Sequence, residues 1–371
     1  MITDHSDQEG KVDGGVQAVT RYLVGAMTNL NEVDLHVISY RYGIDSVQTI
    51  EAEGFTKHAL PGARFGTVTG YWRDQVTLRE SLRSIHPDIV HGQGVGHDGI
   101  VAARSRYPSV QTVHGILPEE AKYFTQASRR IRHRLQNRLS EHYCIRHAKH
   151  TILISPYVAD YWGPRLTGKH YMIPNPIAPR FFKILRNEDN GRILFAGRLH
   201  RLKGVIDLIR AASTIDKTQQ VKIVLAGSLE DRAYVNQLKA EVGRLRMGDN
   251  VTFCGVLDDQ ALHNEFARAA LLVLPSYQET APMVIQEAMA CGVPVVATKV
   301  GGIAYQVEAG ETGYLVNPGD VPALADRLTA LLSDETIRKS FGVAAKRRAD
   351  KEYRAETVAQ ATLNAYKQIL S

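Results

Sequence analysis

The stretch LLVLPSYQETAPMVIQEAMACGVPVVAT, residues 271–298, decides how this chain folds. It opens on a short apolar run (LLVLPS, 271–276), crosses a loop, and enters the good helix formers MVIQEAMA just after Pro282. Gly292 ends that run, and a β-branched segment (PVVAT, 294–298) follows. Proline suits a first helical turn, where its missing N–H would be unpaired anyway, and glycine suits the residue past a helix end. Strand, helix and strand in this order make a βαβ unit with parallel strands. Two glutamates interrupt the apolar pattern, with Glu279 on the entering loop and Glu287 inside the helix. The break before Pro282 lets both carboxylates face the carboxyl end of the strand, where open parallel sheets bind ligands. The helix start adds unpaired N–H groups and a positive dipole end, which favour an anion. Carboxylates would repel phosphate but accept hydrogen bonds from hydroxyls, so one reading is a clamp for a polyhydroxylated anion. The other is a solvated Glu279 and an exposed Glu287. Spacing alone does not separate them.

The same alternation runs outward from this unit. In the second half the expected strands are 192–197, 221–227, 250–255, 271–276, 294–298 and 313–316; in the first half they are 33–40, 88–92, 110–115 and 150–155. Amphipathic helical patterns fill the intervals, so the expected class is α/β with parallel sheets. MIPNPIAPRFF (172–182) holds three prolines, which can neither continue a helix nor sit in a central strand, and marks a domain boundary. After Pro322 the chain turns helical, ending in YRAETVAQATLNAYKQIL (353–370). At 371 residues the chain is longer than one core usually supports. The expected organisation is 1–175, 176–352, and a last helix 353–371 returning to the first domain.

Composition narrows the function classes. With 44% hydrophobic and 23% charged residues the chain is globular, and no apolar run reaches the ~20 residues of a membrane-spanning helix. The opening MITDHSDQEGKVDGG lacks the basic start and apolar core of a secretory signal, so a cytoplasmic location is expected. Three cysteines without Cys-x-x-Cys spacing suggest neither zinc nor disulfides. A net charge of +6 favours anionic partners. Directly after the strand 192–197 comes RLHRLKGV, which puts Arg198 and Lys203 at a strand end and a helix start. Two cations there suit a diphosphate, the guanidinium forking over two oxygens and the ammonium acting as a point charge.

The motifs GGVQAVTRYL, TVHG (112–115), IPNPI, FAGRLHRLKGV, LPSYQETAPMVIQEAMACGVPVVAT and VGGIAYQV occur in one order along nearly the whole chain. In these the sequence resembles the retaining, nucleotide-sugar-dependent glycosyltransferases of family 4, also grouped as glycosyl transferases group 1. The resemblance implies the GT-B fold, two facing Rossmann-like domains with a cleft between them. It implies transfer of a sugar from a nucleoside diphosphate sugar, of the uridine or guanosine type, to a hydroxyl of a carbohydrate or lipid-linked acceptor in cell-surface polysaccharide or glycolipid synthesis. Glu279 would hold the donor sugar, the amides of Ala281, Met283 and Val284 would face sugar and phosphates, and Glu287 would hold the ribose hydroxyls. Arg198 and Lys203 would stabilise the leaving diphosphate. His114 would contact the donor sugar from the first domain, while Gly14 and Gly15 would let backbone approach a phosphate. Outside the resemblance, a Gly-Gly pair is as well explained by a plain turn. Gly301 and Gly302 look like a turn lining the donor side, or fit a purely packing role. No Asp-x-Asp triplet occurs, so no metal and no cofactor beyond the donor are expected. A nucleotide-sugar epimerase of the same shape and a non-catalytic nucleotide-sugar sensor are the alternatives.

Two segments stand apart. Family members begin on a full apolar strand before the glycine loop, whereas here only MIT precedes DHSDQEGKVDGG, so a truncated central strand is expected. Segment 128–150 holds seven Lys or Arg, four His and one Glu. It reads either as a solvated helix or as a basic face for an anionic membrane surface, which would make the protein peripheral at the inner face of the plasma membrane. Its aromatics are too few for nucleic acid.

Overall fold

The computed structural model describes residues 1–3, 14–41, 43–62, 72–123, 131, 135 and 140–371. They form two compact units: Met1–Pro176 with Ala355–Ser371, and Ile177–Arg354.

The first unit carries strands β1 (His36–Arg41), β2 (Gln48–Ala52), β3 (Phe55–Pro61), β4 (Val90–Gly92), β5 (Ser109–Val113), β6 (His150–Leu153) and β7 (Lys169–Met172). They run in the orders β1-β3-β2 and β4-β5-β6-β7, and only the β2–β3 pair is antiparallel. Met1–Thr3 lies between the two groups, where Ile2 bridges Ile38 on one side and Gly92 on the other. Ile2 N–H donates to His91 O at 2.8 Å and Thr3 N–H to Ile38 O at 2.9 Å, while Ile38 and Gln93 donate back to Met1 and Ile2. Met1–Thr3 thus supplies a central rung with partners on both sides. Period-two alternation sends Val37 and Ile38 to opposite faces of the sheet. Val37 joins Leu23 and Met27 of the helix Gly15–Leu30 and Ala359 and Leu363 of the helix Ala355–Leu370. Ile38 joins Ile2, Leu60, Leu78, Leu82 and Val101. The last helix buries Val358, Ala359, Thr362, Leu363 and Tyr366, a three-and-four spacing that forms one stripe.

The second unit holds six parallel strands, β8 (Arg192–Ala196), β9 (Lys222–Ala226), β10 (Val251–Gly255), β11 (Leu271–Leu274), β12 (Val295–Thr298) and β13 (Gly313–Val316), in the order β10-β9-β8-β11-β12-β13. Ile193, Leu194, Phe195 and all of β11 are buried, as continuous apolar strands must be when helices cover both faces. The chain winds outward from β8 to β10 and then restarts at β11 beside β8, so the order reverses between these two strands.

β2, β3 and β7 are additions to the strands expected from sequence. Pro282 occupies the N-cap of the helix Met283–Ala290 instead of its first turn, with extended backbone at ψ 120°. Gly292, at φ +72°, follows that helix. Among the described residues no helix is long and apolar enough to cross a membrane. Of the basic segment 128–150, residues 128–130, 132–134 and 136–139 lie outside the described residues, as do 4–13 of the glycine loop.

Because Ile2 is fully enclosed, Ile2→Ala removes three buried carbons from a site that other strands cannot collapse to fill. We expect the first unit to lose about 2–4 kcal/mol, read by denaturant unfolding as an earlier transition of this unit with that of the second unit unmoved.

Candidate active site

The site in the second unit grows from the reversal between β8 and β11. Loops leave the carboxyl ends of these neighbours in divergent directions, the geometry that opens a binding crevice in such sheets. The β11 loop is tied down on several sides. Thr298 Oγ1 donates to Ser276 O at 2.5 Å, Tyr277 N–H donates to Leu202 O at 2.8 Å, and Tyr277 OH donates to Asp207 Oδ2 at 2.7 Å. Gly204, at φ +62°, passes so near that a Cβ would stand 2.0 Å from Pro275 O. Gly302 N–H donates to Glu279 O at 3.1 Å, and a Cβ on Gly302 would stand 1.7 Å from Thr280 O. Glycine is required there by close approach, which gives Gly302 the packing role expected of it.

On this fixed loop Glu279 Oε1 accepts from Lys203 Nζ at 2.5 Å and from Ser276 Oγ at 2.7 Å. Lys203 ends the short 3-10 turn Arg201–Lys203 after β8, and Arg198 stands exposed in the same loop. The structure therefore joins Lys203 and Glu279 directly, a pairing the sequence did not disclose. The helix Met283–Ala290 starts at the end of this loop with no side chain capping it. The amides of Met283 and Val284 have no partners within the helix itself and point out of its end, while Ile285 N–H donates to the N-cap carbonyl of Pro282 at 3.3 Å.

Glu287 lies one turn deeper in that helix. Its residue surface is half-buried while its carboxyl is enclosed, and burial raises its pKa to about 7; Arg180 pulls the other way and Asp259 adds to the rise. Arg180 Nη1 pairs with Asp259 Oδ2 at 2.9 Å. An exposed Glu287 on a bland helix face is not what the structure shows. Among the described residues no cluster of His, Cys, Asp and Glu could hold a metal ion.

The remaining candidates lie in the first unit. Gly14 caps the helix Gly15–Leu30 with extended backbone, and among the described residues a Cβ on Gly14 or Gly15 would meet nothing within 4 Å. Packing among the described residues therefore does not demand either glycine, and neither sits in a left-handed turn. His114 follows β5 and donates from Nε2 to Gln93 Oε1 at 2.8 Å. Burial lowers its pKa to about 4, against a raising hydrogen bond from Asn175, so the ring is neutral at neutral pH. Sequence reading missed Ser276, Asp207, Arg180, Asp259, Gln93 and Asn175. Asn175 and Ser276 stand inside the motifs IPNPI and LPSYQ but are not singled out by residue type.

A model of glycosyl transferases group 1 matches residues 177–348, and one of glycosyltransferase family 4 matches residues 13–181. The chain belongs to the family 4, group 1 glycosyltransferases. Among its curated relatives in this family, an N-acetyl-alpha-D-glucosaminyl L-malate synthase from Bacillus anthracis is 32% identical over 172 residues, 46% of this chain and 44% of that protein. A D-inositol 3-phosphate glycosyltransferase from an Arthrobacter species is 37% identical over 156 residues, 41% of this chain and 37% of the relative. The match thus spans less than half the length of these relatives. Whole-chain likeness comes from solved structures. Sucrose-phosphate synthase from Thermosynechococcus elongatus superposes with a TM-score of 0.85 at 23% identity, covering 99% of this chain and 98% of its own. HepE from Anabaena, solved with UDP and glucose, gives 0.74 at 21%, covering 98% of each chain. The fold is GT-B, with two Rossmann-like domains.

Two outcomes follow from this geometry. Gly302→Ala should destabilise the second unit by about 1–3 kcal/mol, read by thermal or denaturant unfolding. Glu287 should titrate near pH 7 by carboxyl carbon NMR. Its raised pKa means the fold favours the protonated acid, so its stabilising contribution is complete below the ordinary glutamate pKa of about 4.5 and is lost as pH rises through about 7. Glu287→Gln should remove that slope.

Proposed function

We propose that the chain is a retaining, metal-independent glycosyltransferase that moves a hexosyl group from a nucleoside diphosphate sugar to a hydroxyl of a carbohydrate or lipid-linked acceptor, in cell-surface polysaccharide or glycolipid synthesis. The observation that carries the reading is the convergence of Lys203, Glu279 and an uncapped helix start at the strand-order reversal. HepE, similar in fold, was solved with UDP and, separately, with UDP-glucose, which supports a nucleotide-sugar donor here.

Chemically, the bond between the anomeric carbon and the β-phosphate oxygen breaks and its electron pair stays on that oxygen. The acceptor hydroxyl bonds to the anomeric carbon and gives up its proton to the departing diphosphate. Negative charge grows on the departing diphosphate, so Arg198, Lys203 and the helix-start amides near Ala281, Met283 and Val284 stabilise the transition state more than the ground state. These cations take the neutralising part that a metal takes in other phosphoryl-leaving chemistry. Glu279 accepts hydrogen bonds from sugar hydroxyls and Glu287 from ribose hydroxyls. Gly14 and Gly15, which meet no described side chain at this helix start, let backbone approach a phosphate. His114 contacts the donor sugar as a neutral ring. The basic segment 128–150 serves an anionic membrane surface or a lipid-linked acceptor.

Thermal-shift measurement with UDP, GDP and their sugars identifies the donor, since a ligand that binds only the folded state stabilises it with occupancy. Glu287→Ala should then weaken binding of the sugar-free nucleotide about tenfold or more, the loss of a hydrogen bond to a charged group. Glu279→Ala should lower transfer while leaving nucleotide binding within about threefold, under half of that same loss. Equal losses of both properties in both variants would refute this division, and no shift with any nucleotide would refute the reading itself.

A further inference from the structure

A polar chain with no assigned role runs through the first unit. His114, after β5, donates from Nε2 to Gln93 Oε1 at 2.8 Å. The other end of the same amide, Gln93 Nε2, donates to His91 Nε2 at 3.3 Å. His91 Nε2 is also 2.7 Å from Thr112 Oγ1 on β5, and His91 Nδ1 is 2.6 Å from Tyr366 OH on the helix Ala355–Leu370. Gln93, His91 and Thr112 are almost fully buried, at 3%, 2% and 4% exposure. Gln93 is itself pinned by its backbone N–H, which donates to Ile2 O at 2.9 Å.

An amide has one accepting end and one donating end, and this fixes the protons along the chain. With Gln93 Oε1 facing His114, the His114 proton sits on Nε2. With Gln93 Nε2 facing His91, that imidazole nitrogen must carry the lone pair, which also accepts from the Thr112 hydroxyl. The His91 proton is then on Nδ1 and is donated to the Tyr366 oxygen. Along this chain the His114, Gln93, Thr112 and His91 donors each meet an acceptor. The charged and titratable neighbours are few: His91 faces the Met1 amine and His114, which both oppose its protonation, and Glu120 Oε1 stands close to Gly115 beside His114. At His114 the hydrogen bond from Asn175 favours the imidazolium, but Asn175 carries no charge and burial outweighs it.

We propose that Gln93 is a positioning residue that holds His114 neutral and in one orientation, and that His91 couples this hold to Tyr366 of the last helix. The inference rests on the reading of His114 as a contact of the donor sugar. Positive charge grows at the anomeric carbon as the diphosphate leaves, as in other glycosyl transfers with oxocarbenium character. A neutral ring beside that carbon does not oppose it, and an imidazolium would.

The test compares wild type with Gln93→Glu, Gln93→Leu, Tyr366→Phe and His114→Ala. Nitrogen-15 NMR of the imidazoles reads tautomer and titration, and turnover is measured with UDP-glucose, UDP-N-acetylglucosamine and GDP-mannose, using whichever is consumed. Wild-type His114 should be the Nε2–H tautomer from pH 6 to 8. Gln93→Glu keeps an acceptor but adds a charge, so the His114 titration should rise by about 1–3 pH units. The acid limb of kcat should rise with it, kcat should recover at alkaline pH, and KM for the donor should stay within about threefold. Gln93→Leu should mix the tautomers and lower kcat about tenfold or more at every pH, well short of the hundredfold of a reacting group misplaced by 1 Å. Tyr366→Phe should loosen the His91 proton and lower kcat less. Unchanged tautomer and kcat in folded Gln93→Leu, or an unmoved pH profile in Gln93→Glu, would overturn the positioning role while His114→Ala stays inactive. Full activity of His114→Ala, or no turnover of any of the three donors, would instead overturn the underlying reading and the role with it.

Discussion

Two parallel neighbours, β8 and β11, send their connections away from each other, and the rest of the second unit depends on that divergence. Each strand is buried on both faces, so neither can shift without breaking continuous apolar packing. The loops at their carboxyl ends are therefore held at a fixed separation by the sheet, and what varies is only how they are finished. Here they are finished with glycines at two close approaches, Gly204 against Pro275 and Gly302 against Thr280, and with side-chain hydrogen bonds from Thr298 and Tyr277. A loop secured on several sides loses little further freedom when a ligand arrives, which is what preorganised sites require.

The Lys203–Glu279 pair is best understood as positioning rather than as stabilisation. Its side chains are only 21% and 10% exposed, and a buried ion pair gains little net free energy because both charges give up water. What it secures is the placement of a cation and a carboxylate within one bond length of contact, at the mouth of a helix whose dipole end is positive. Glu287, one turn deeper, lives under the opposite condition. Its carboxyl is enclosed, the nearby Arg180 pairs with Asp259, and it holds its proton to an unusually high pH. Two glutamates that look alike in sequence are thus chemically distinct.

Much of the fold could be read in advance because it is written in local apolar patterns. The six strands of the second unit are runs such as ILFA and LLVL, and the last helix carries an unbroken buried stripe. The strands that escaped notice are at or near sheet margins. β2 is exposed along nearly its whole length and β7 is polar, so neither shows the alternation that a half-buried strand would. Met1–Thr3 is too short for any periodicity, and its place in the sheet comes from partners 35 to 90 residues away. The site followed the same rule. Glu279, Glu287, Arg198 and Lys203 stood out by residue type near strand ends, whereas the partners of Glu279 and His114 are set by pairings distant along the chain.

The first unit is assembled from both extremes of the polypeptide. Val358, Ala359 and Leu363 complete a core otherwise made by residues before Ile177. A ribosome delivering this chain from its amino end releases every element of the second unit before the piece that closes the first. Until then the core that Val37 shares with Leu23 and Met27 of the first helix lacks its last-helix side, and the nascent protein must keep that apolar surface from sticking elsewhere while its neighbour is already able to fold.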